Sequence, residues 1–306
     1  TSRLLDRLET LDEWSDGLLV HSENSQALAL LRTSFKNRIR CIYIDPPYNT
    51  GNDGFAYRDS YQHSSWLAMI DERIDLAAQL LHEDGAFFSS IDDRESSRLR
   101  LVLERHFLES GFLGEILWQK RYSPDIRTAI SDAHEYIIAF ARNVERFKQI
   151  RNKLPLTDKQ TSQFKNPDND PRGPWKADNF TAPGYRPNQM YPITTPSGRV
   201  VLPPPGRCWI VTEPVFKQYE AEGRMYYGLD SAGLPAVKRY LRDMDGMVPW
   251  TWWPYEEVGH SQDGLKELMK LFGREEGFLT AKPPTLIERI LQIATSNDSV
   301  VADFFA

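Results

Sequence analysis

Seven consecutive residues carry the clearest chemical potential: Asp45-Pro46-Pro47-Tyr48-Asn49-Thr50-Gly51. Two adjacent prolines fix φ and remove two backbone donors, which makes a stiff turn that presents carbonyl oxygens beside one carboxylate. The tyrosine offers a flat ring next to those acceptors. Such a set suits a planar ligand that presents an amino group. No HExxH pattern or cysteine cluster supplies a metal site, because Cys41 and Cys208 are the only cysteines. They do not make a disulfide framework or a four-ligand zinc site either.

A turn like this needs elements to aim it. Ile39 to Ile44 reads as a buried strand that the prolines stop, and ligands in open α/β sheets bind beyond the carboxyl ends of strands. Upstream, Ser25 to Phe35 has helical spacing. Downstream, Ser64 is a candidate N-cap for a helix with Ile70, Ile74, Ala77 and Leu81 on one face, ended by Asp84-Gly85. Ala86 to Ile91 reads as the next strand, Glu95 to Leu108 as a basic amphipathic helix, and Glu115 to Trp118 and Tyr136 to Phe140 as further strands. Alternation at these lengths predicts an α/β sheet with mostly parallel strands. The texture changes near residue 151. From Asn166 to Arg207 prolines, glycines, asparagines and aromatics interrupt any period, which predicts loops and short strands. Helices follow at Asp263 to Phe272 and Thr285 to Ala294, the second opened by Pro283-Pro284. Ser299 to Phe304 reads as a last strand.

The chain has 306 residues and a net charge of −6, of which 41% are hydrophobic and 12% aromatic. That suffices for a sizeable core and excludes wholesale disorder. No apolar run approaches the ~18 residues of a membrane span, and the opening TSRLLDRLET is polar, with no signal peptide visible. A reducing cytoplasmic setting is expected. The acidic total conceals an asymmetry: residues 1–93 carry a net −8, residues 94–250 a net +6. A basic middle inside an acidic chain points to a partner for that middle.

The string Asp45-Pro46-Pro47-Tyr48 resembles the catalytic DPPY motif of DNA amino-methyltransferases, and Asn-Thr-Gly narrows the match. Other stretches resemble the same family in the order of its permuted β class: HSEN (21–24), GAFFSSIDD (85–93), EILWQKR (115–121), HEYIIAFARN (134–143), Thr280-Ala281-Lys282-Pro283 on the cofactor side, and ADFFA (302–306) as the opening of the cofactor motif. DPRGPW (170–175), TTPSGRV (194–200) and TWWPYEEVGH (251–260) are similar to the modification subunit of type III restriction–modification systems.

The resemblance implies a Rossmann-like, permuted sheet with an inserted loop-rich target-recognition region. It divides the chain into a catalytic part (1–150), the recognition region (151–258), and a cofactor-side helix with the first cofactor strand (259–306). It also implies S-adenosylmethionine (AdoMet) as cofactor and methyl transfer to the exocyclic amine of a flipped-out adenine in duplex DNA. Asp45, Pro46, Pro47 and Tyr48 are the expected catalytic residues. Lys282, Pro283, Asp303, Phe304 and Phe305 are expected near the cofactor. DNA contacts are expected from Lys120, Arg121, Arg172, Lys176 and Arg199, with further arginines at 94, 98, 100 and 105. A helicase–nuclease restriction subunit and a second copy of the chain are the implied partners. The glycines that follow Phe305 in the family motif do not occur before Ala306, so a fragment is expected. Three alternatives accompany this reading: a cytosine amino-methyltransferase, a non-catalytic recognition fragment, and, more weakly, a protein-glutamine methyltransferase. Asp rather than Ser at position 45 favours adenine, and Asn would suit glutamine. His134-Glu135 reads as a strand-end cap, with a catalytic pair as the lesser alternative, and Cys41 as inert core.

Overall fold

A computed structural model describes residues 16–51, 59–273 and 281–306. The opening decapeptide and Thr280 of the cofactor-side string lie outside them. The chain forms two compact units, one of residues 1–152 with 249–306 and the other of residues 153–248.

The first unit is built on a six-stranded sheet. Its strands are β1 (Ile39–Ile44), β2 (Leu81–Ile91), β3 (Phe112–Gln119), β4 (His134–Ala141), β5 (Trp252–Trp253) and β6 (Val300–Ala302). Their order across the sheet is β5-β3-β4-β2-β1-β6. β4 pairs antiparallel with β2 and β3, and every other pairing is parallel. Five strands therefore run one way and β4 alone runs the other, the mostly parallel sheet that the alternation predicts and the Rossmann-like class that the resemblance implies.

Helices α1 (Asn24–Phe35), α2 (His63–Leu80) and α3 (Ser96–Phe107) bury one stripe each. On α2 the stripe is Trp66, Ile70, Ile74, Ala77 and Leu80, packed with Ile42, Ile44, Phe87 and Phe140 of the sheet. Each buried isoleucine or leucine of the stripe contributes about 1.5–3 kcal/mol by leaving water. Cys41 is fully buried in β1, and burial pushes its thiol up to about 12, so it is an inert core residue.

One boundary differs from the sequence expectation. Asp84-Gly85 does not end a helix; α2 stops at Leu80 and Leu81–Ile91 is all strand. The break is instead a bulge. Ile39 pairs with Leu81 but Cys41 pairs with Ala86, so the residues between them have no partners on β1. A Cβ on Gly85 would lie 2.9 Å from the His82 carbonyl oxygen, which is why glycine occupies the bulge. The turn signal was real, but an extra stretch of strand absorbs it.

The second unit has its own core of Phe180, Tyr191, Ile193, Val201, Trp209, Phe216, Tyr227 and Val237. An antiparallel sheet orders Met225–Tyr226, Ala236–Tyr240 and Trp175–Asn179. Two shorter antiparallel pairs, Thr181–Pro183 with Arg207–Trp209 and Ile193–Thr194 with Val200–Val201, complete its strands. The aromatics scattered through 166–209 are thus largely structural. Asp170 ties the unit together: it accepts from Arg172 Nε (2.8 Å) and Nη2 (2.7 Å), Lys238 Nζ (2.8 Å) and the Tyr240 hydroxyl (2.8 Å).

Candidate active site

The site lies at one edge of the sheet in the first unit. The apolar run of β1 carries the chain to Asp45, where the prolines end the ladder because they have no N–H to donate. Asp303 follows β6 on one side, and Lys120 follows β3 further across. Because β4 runs backwards, its amino end reaches this same edge, and Glu135 stands opposite Trp118 in the register.

The turn is held from behind. Trp66 of α2 donates its indole N–H to the Pro47 carbonyl at 2.7 Å. Asp59, which is buried, accepts from the backbone N–H groups of Asn49 (2.7 Å) and Thr50 (3.0 Å). Asn49 has φ of +59°, a left-handed conformation that asparagine tolerates better than most residues. Its amide donates to Glu95 at 2.7 Å and accepts from the Tyr61 N–H at 2.6 Å. Glu95 is fully buried and also meets His63 Nδ1 at 2.6 Å and Arg98 at 3.2 Å.

At the front, charges alternate. Lys282 Nζ lies 3.0 and 2.9 Å from the two Asp45 oxygens. The same ammonium is 3.3 Å from Glu135 Oε2. The other oxygen of Glu135 is 3.4 Å from Lys120 Nζ, which in turn pairs with Asp132 at 2.7 Å. The Tyr48 hydroxyl donates to Glu135 Oε2 at 3.0 Å. Lys282 Nζ stands 5.0 Å from the Tyr48 ring centre and 5.8 Å from that of Trp118.

Electrostatics follow from this geometry. Burial by itself would raise the Glu135 carboxyl, but the Lys282 and Lys120 ammoniums outweigh it and hold the group below its ordinary value. Burial would likewise lower Lys282, and the Asp45 and Glu135 carboxylates reverse that and raise it. Tyr48 is raised well above the ordinary phenol by burial and by the same two carboxylates, so it remains a donor. Asp303 reaches solvent, yet partial loss of hydration and repulsion from Asp45 push it up to about 6 against a hydrogen bond from the Phe305 N–H.

The structure brings Asp45, Tyr48 and Lys282 into direct contact, with Pro46 and Pro47 shaping the turn. Pro283 precedes the helix Pro284–Ala294 and sets the approach of Lys282. Asp303 accepts from Phe305 N at 2.8 Å, and Asn24 at the start of α1 donates to the Phe304 carbonyl at 3.1 Å. Glu135 is the member that sequence reasoning placed elsewhere, as a strand-end cap. Only the reversed direction of β4 turns that strand end toward Asp45.

The basic residues expected to meet a polyanion are distributed unevenly. Lys120 is nearly buried and paired with two carboxylates. Arg172 donates to Asp170 and to the carbonyls of Glu222 and Gly223, and stacks 4.6 Å from the Tyr240 ring. Arg98, Arg100 and Arg105 pair with Glu95, Glu104 and Asp71. Arg121 is exposed and lines a cleft of about 420 Å³ with Tyr122, His260 and Gln262. Lys176 is partly exposed, 5.2 Å from the Phe164 ring, and Arg199 is exposed with one bond to the Ala232 carbonyl. Among the described residues no helix is long and apolar enough to cross a membrane.

Comparison with known proteins gives the family. The chain is similar to the type III restriction-modification enzyme StyLTI Mod subunit of Salmonella typhimurium (strain LT2), 30% identical over 95% of this chain and 48% of that one. It is similar to the EcoP15I Mod subunit of Escherichia coli at 26% identity over 95% and 54%. It is also similar to the type II methyltransferase M.KpnI of Klebsiella pneumoniae at 26% identity over 99% and 76%. The chain spans about half the length of the two Mod subunits. Residues 39–306, from β1 to the last residue, match the DNA methylase family, N6/N4 type, and the chain belongs to that family.

Proposed function

We propose that this chain contributes the catalytic edge and the target-recognition region of a cytoplasmic DNA adenine methyltransferase of a type III restriction–modification system. The observation that carries the reading is Asp45, a carboxylate on a rigid proline turn, beside the Tyr48 ring and at the carboxyl end of a parallel strand. The Mod-subunit relatives support the system type. The aspartate at position 45 supports adenine.

The exocyclic amine of adenine is a weak nucleophile because its lone pair is delocalised into the ring. Asp45 accepts an amino N–H, and the Pro46 carbonyl accepts the other, which favours a pyramidal nitrogen with an available lone pair. A fixed carboxylate also stabilises the positive charge that develops on that nitrogen. The target base leaves the helix to reach this turn. Unstacking costs a few kcal/mol, and stacking on Tyr48 returns about 1–3.

AdoMet supplies the electrophilic methyl group when bound. The residues present fit it: Asp303 is a solvent-reached carboxylate one strand from Asp45, suited to a ligand with a sulfonium, an ammonium and ribose hydroxyls. Phe304 and Phe305 add apolar surface beside it. Arg121, Arg199 and the partly exposed Lys176 are cations offered to DNA phosphates, whereas Lys120 and Arg172 act through the residues they hold in place. A restriction subunit and a second copy of the chain are the proposed partners.

The test is product identification. Protein, labelled AdoMet and unmethylated genomic duplex DNA are incubated, the DNA is digested, and the labelled nucleoside is identified. N6-methyldeoxyadenosine is expected. N4-methyldeoxycytidine moves the assignment to cytosine, whose amine the same acceptors could hold, and unlabelled DNA overturns the activity.

A further inference from the structure

The acceptor assigned to the target amine is occupied. Both oxygens of Asp45 lie within 3.0 Å of one ammonium, that of Lys282. A carboxylate clamped this way has its charge neutralised where charge is needed. The lysine would also stand beside a nitrogen that is turning positive, which raises the barrier instead of lowering it.

A second seat lies next to the first. Glu135 Oε2 is 3.3 Å from the same Nζ, so the ammonium already bridges the two carboxylates, closer to Asp45, and a shift of roughly half an ångström brings it to ordinary ion-pair distance from Glu135. The Tyr48 ring and the Trp118 ring both lie within 6 Å of Nζ, and their faces accommodate the cation along that path. Glu135 is itself kept in place. Tyr48 donates to one oxygen and Lys120 pairs with the other, while Lys120 is anchored on Asp132. Lys120 is shared with Asp132, so Glu135 depends on Lys282 for part of its charge compensation.

We propose that Lys282 is a two-seat counter-ion, held on Asp45 at rest, and that Glu135 is the positioning residue that takes it up when the target amine reaches Asp45. The free chain thereby keeps a desolvated carboxylate paired, and the approach of substrate frees it. This inference rests on Asp45 as the acceptor of the amine. No covalent step is involved; one salt bridge is exchanged for another.

The role predicts a sign that a structural role does not. E135Q keeps an acceptor for Tyr48 but removes the charge of the second seat. Lys282 then stays on Asp45, and kcat falls about 10²-fold, the scale of a misplaced reacting group, while KM for DNA stays within about twofold. Adding K282M to E135Q removes the clamp. The double variant is expected to turn over roughly tenfold faster than E135Q alone, and E135D is expected to recover part of the loss by restoring the charge. A double variant at or below the rate of E135Q overturns the proposal.

A second measurement needs neither substrate nor activity. In a crystal structure of the D45N protein, Lys282 Nζ is expected to have closed on Glu135; an ammonium that stays at position 45 overturns the two-seat arrangement. Wild-type protein that labels no DNA overturns the proposed function, and the D45N structure then still decides where the lysine goes.

Discussion

Two aspartate–lysine pairs, one in each unit, have opposite designs. Asp170 receives two bonds from the Arg172 side chain, one from its backbone N–H, one from Lys238 and one from the Tyr240 hydroxyl. It is buried, and the Arg172 hydrogen bonds hold its carboxyl far below the usual carboxylate range. Nothing is left for a ligand. Asp45 is about a third exposed, and the described residues offer its side chain one ion-pair partner, Lys282, which a second carboxylate also attracts. A carboxylate tied by several fixed donors is a structural tie; one held by a single ammonium that a second carboxylate shares can exchange that partner for a substrate. The same contrast separates the arginines. Arg172 is committed to the Asp170 tie, whereas Arg121 is exposed on a cleft.

Breaking each member of the comparison should give effects of different kind. The largest belongs to Asp45→Ala, which is expected to lower kcat by about 10³-fold or more because a preorganised group at the developing charge is lost, with DNA affinity largely retained. Single-turnover methylation and a binding isotherm on the same protein measure the two quantities. Retained turnover removes Asp45 from the mechanism.

Asp170→Ala should instead cost stability. It leaves Arg172 and Lys238 without their shared buried carboxylate, a loss of about 3–5 kcal/mol. Urea denaturation followed by tryptophan fluorescence reads it, since Trp175 and Trp209 belong to this unit. A wild-type melting profile would mean that the tie is dispensable and the contrast with Asp45 is wrong.

Asn49→Ala lies between them in kind. It loses the amide bonds to Glu95 and Tyr61 and places alanine at a left-handed φ, together a cost of about 1–3 kcal/mol. Asn49→Gly relieves the backbone term and should recover part of that stability in a thermal melt. Equal losses in both variants would assign the whole effect to the side-chain bonds.

The smallest effect is a pH dependence at Asp303. Its carboxyl is pushed up to about 6, above the ordinary aspartate value of 3.8, so the folded chain holds this proton more tightly than the unfolded chain. The stability that this contributes is lost as pH rises from the ordinary value through about 6. Pairing with a cationic ligand runs the other way, because it needs the ionised form. AdoMet affinity should therefore rise between about pH 5 and 7 and level off above. Calorimetric titration checks this, and Asp303→Asn should bind weakly with a flat profile; an unchanged slope in that variant assigns the titration to another group.

Much of this site is legible in the sequence. The apolar strand Ile39–Ile44 and the double proline locate Asp45 at a strand end by local rules alone. Lys282 and Asp303 were legible only through resemblance, because an isolated lysine before a proline and an isolated aspartate after a short strand carry no local signal. Glu135 is legible only as the lesser reading of His134-Glu135, a catalytic pair set behind a strand-end cap. Its neighbours alternate as in any strand, and nothing local states that β4 runs against the others. The bulge at Gly85 is not legible in the sequence for a related reason. Glycine after aspartate marks a break in any element, and only the pairing with β1 decides whether the break ends a helix or kinks a strand.

Most elements and their chemistry follow from local sequence: hydrophobic periods are local, and so are the steric limits of Pro46-Pro47 and the preference of Asn49 for a left-handed turn. Tertiary structure alone decided which charges meet. Asp45 and Lys282 are 237 residues apart, and Tyr48 and Glu135 are 87 apart. Their contact depends on strand order and strand direction, which are set by how the whole sheet buries its faces. A lysine in sequence is a positive charge with many possible partners. Packing at the sheet edge gives Lys282 two, and the energy difference between those two seats is a property of the assembled edge.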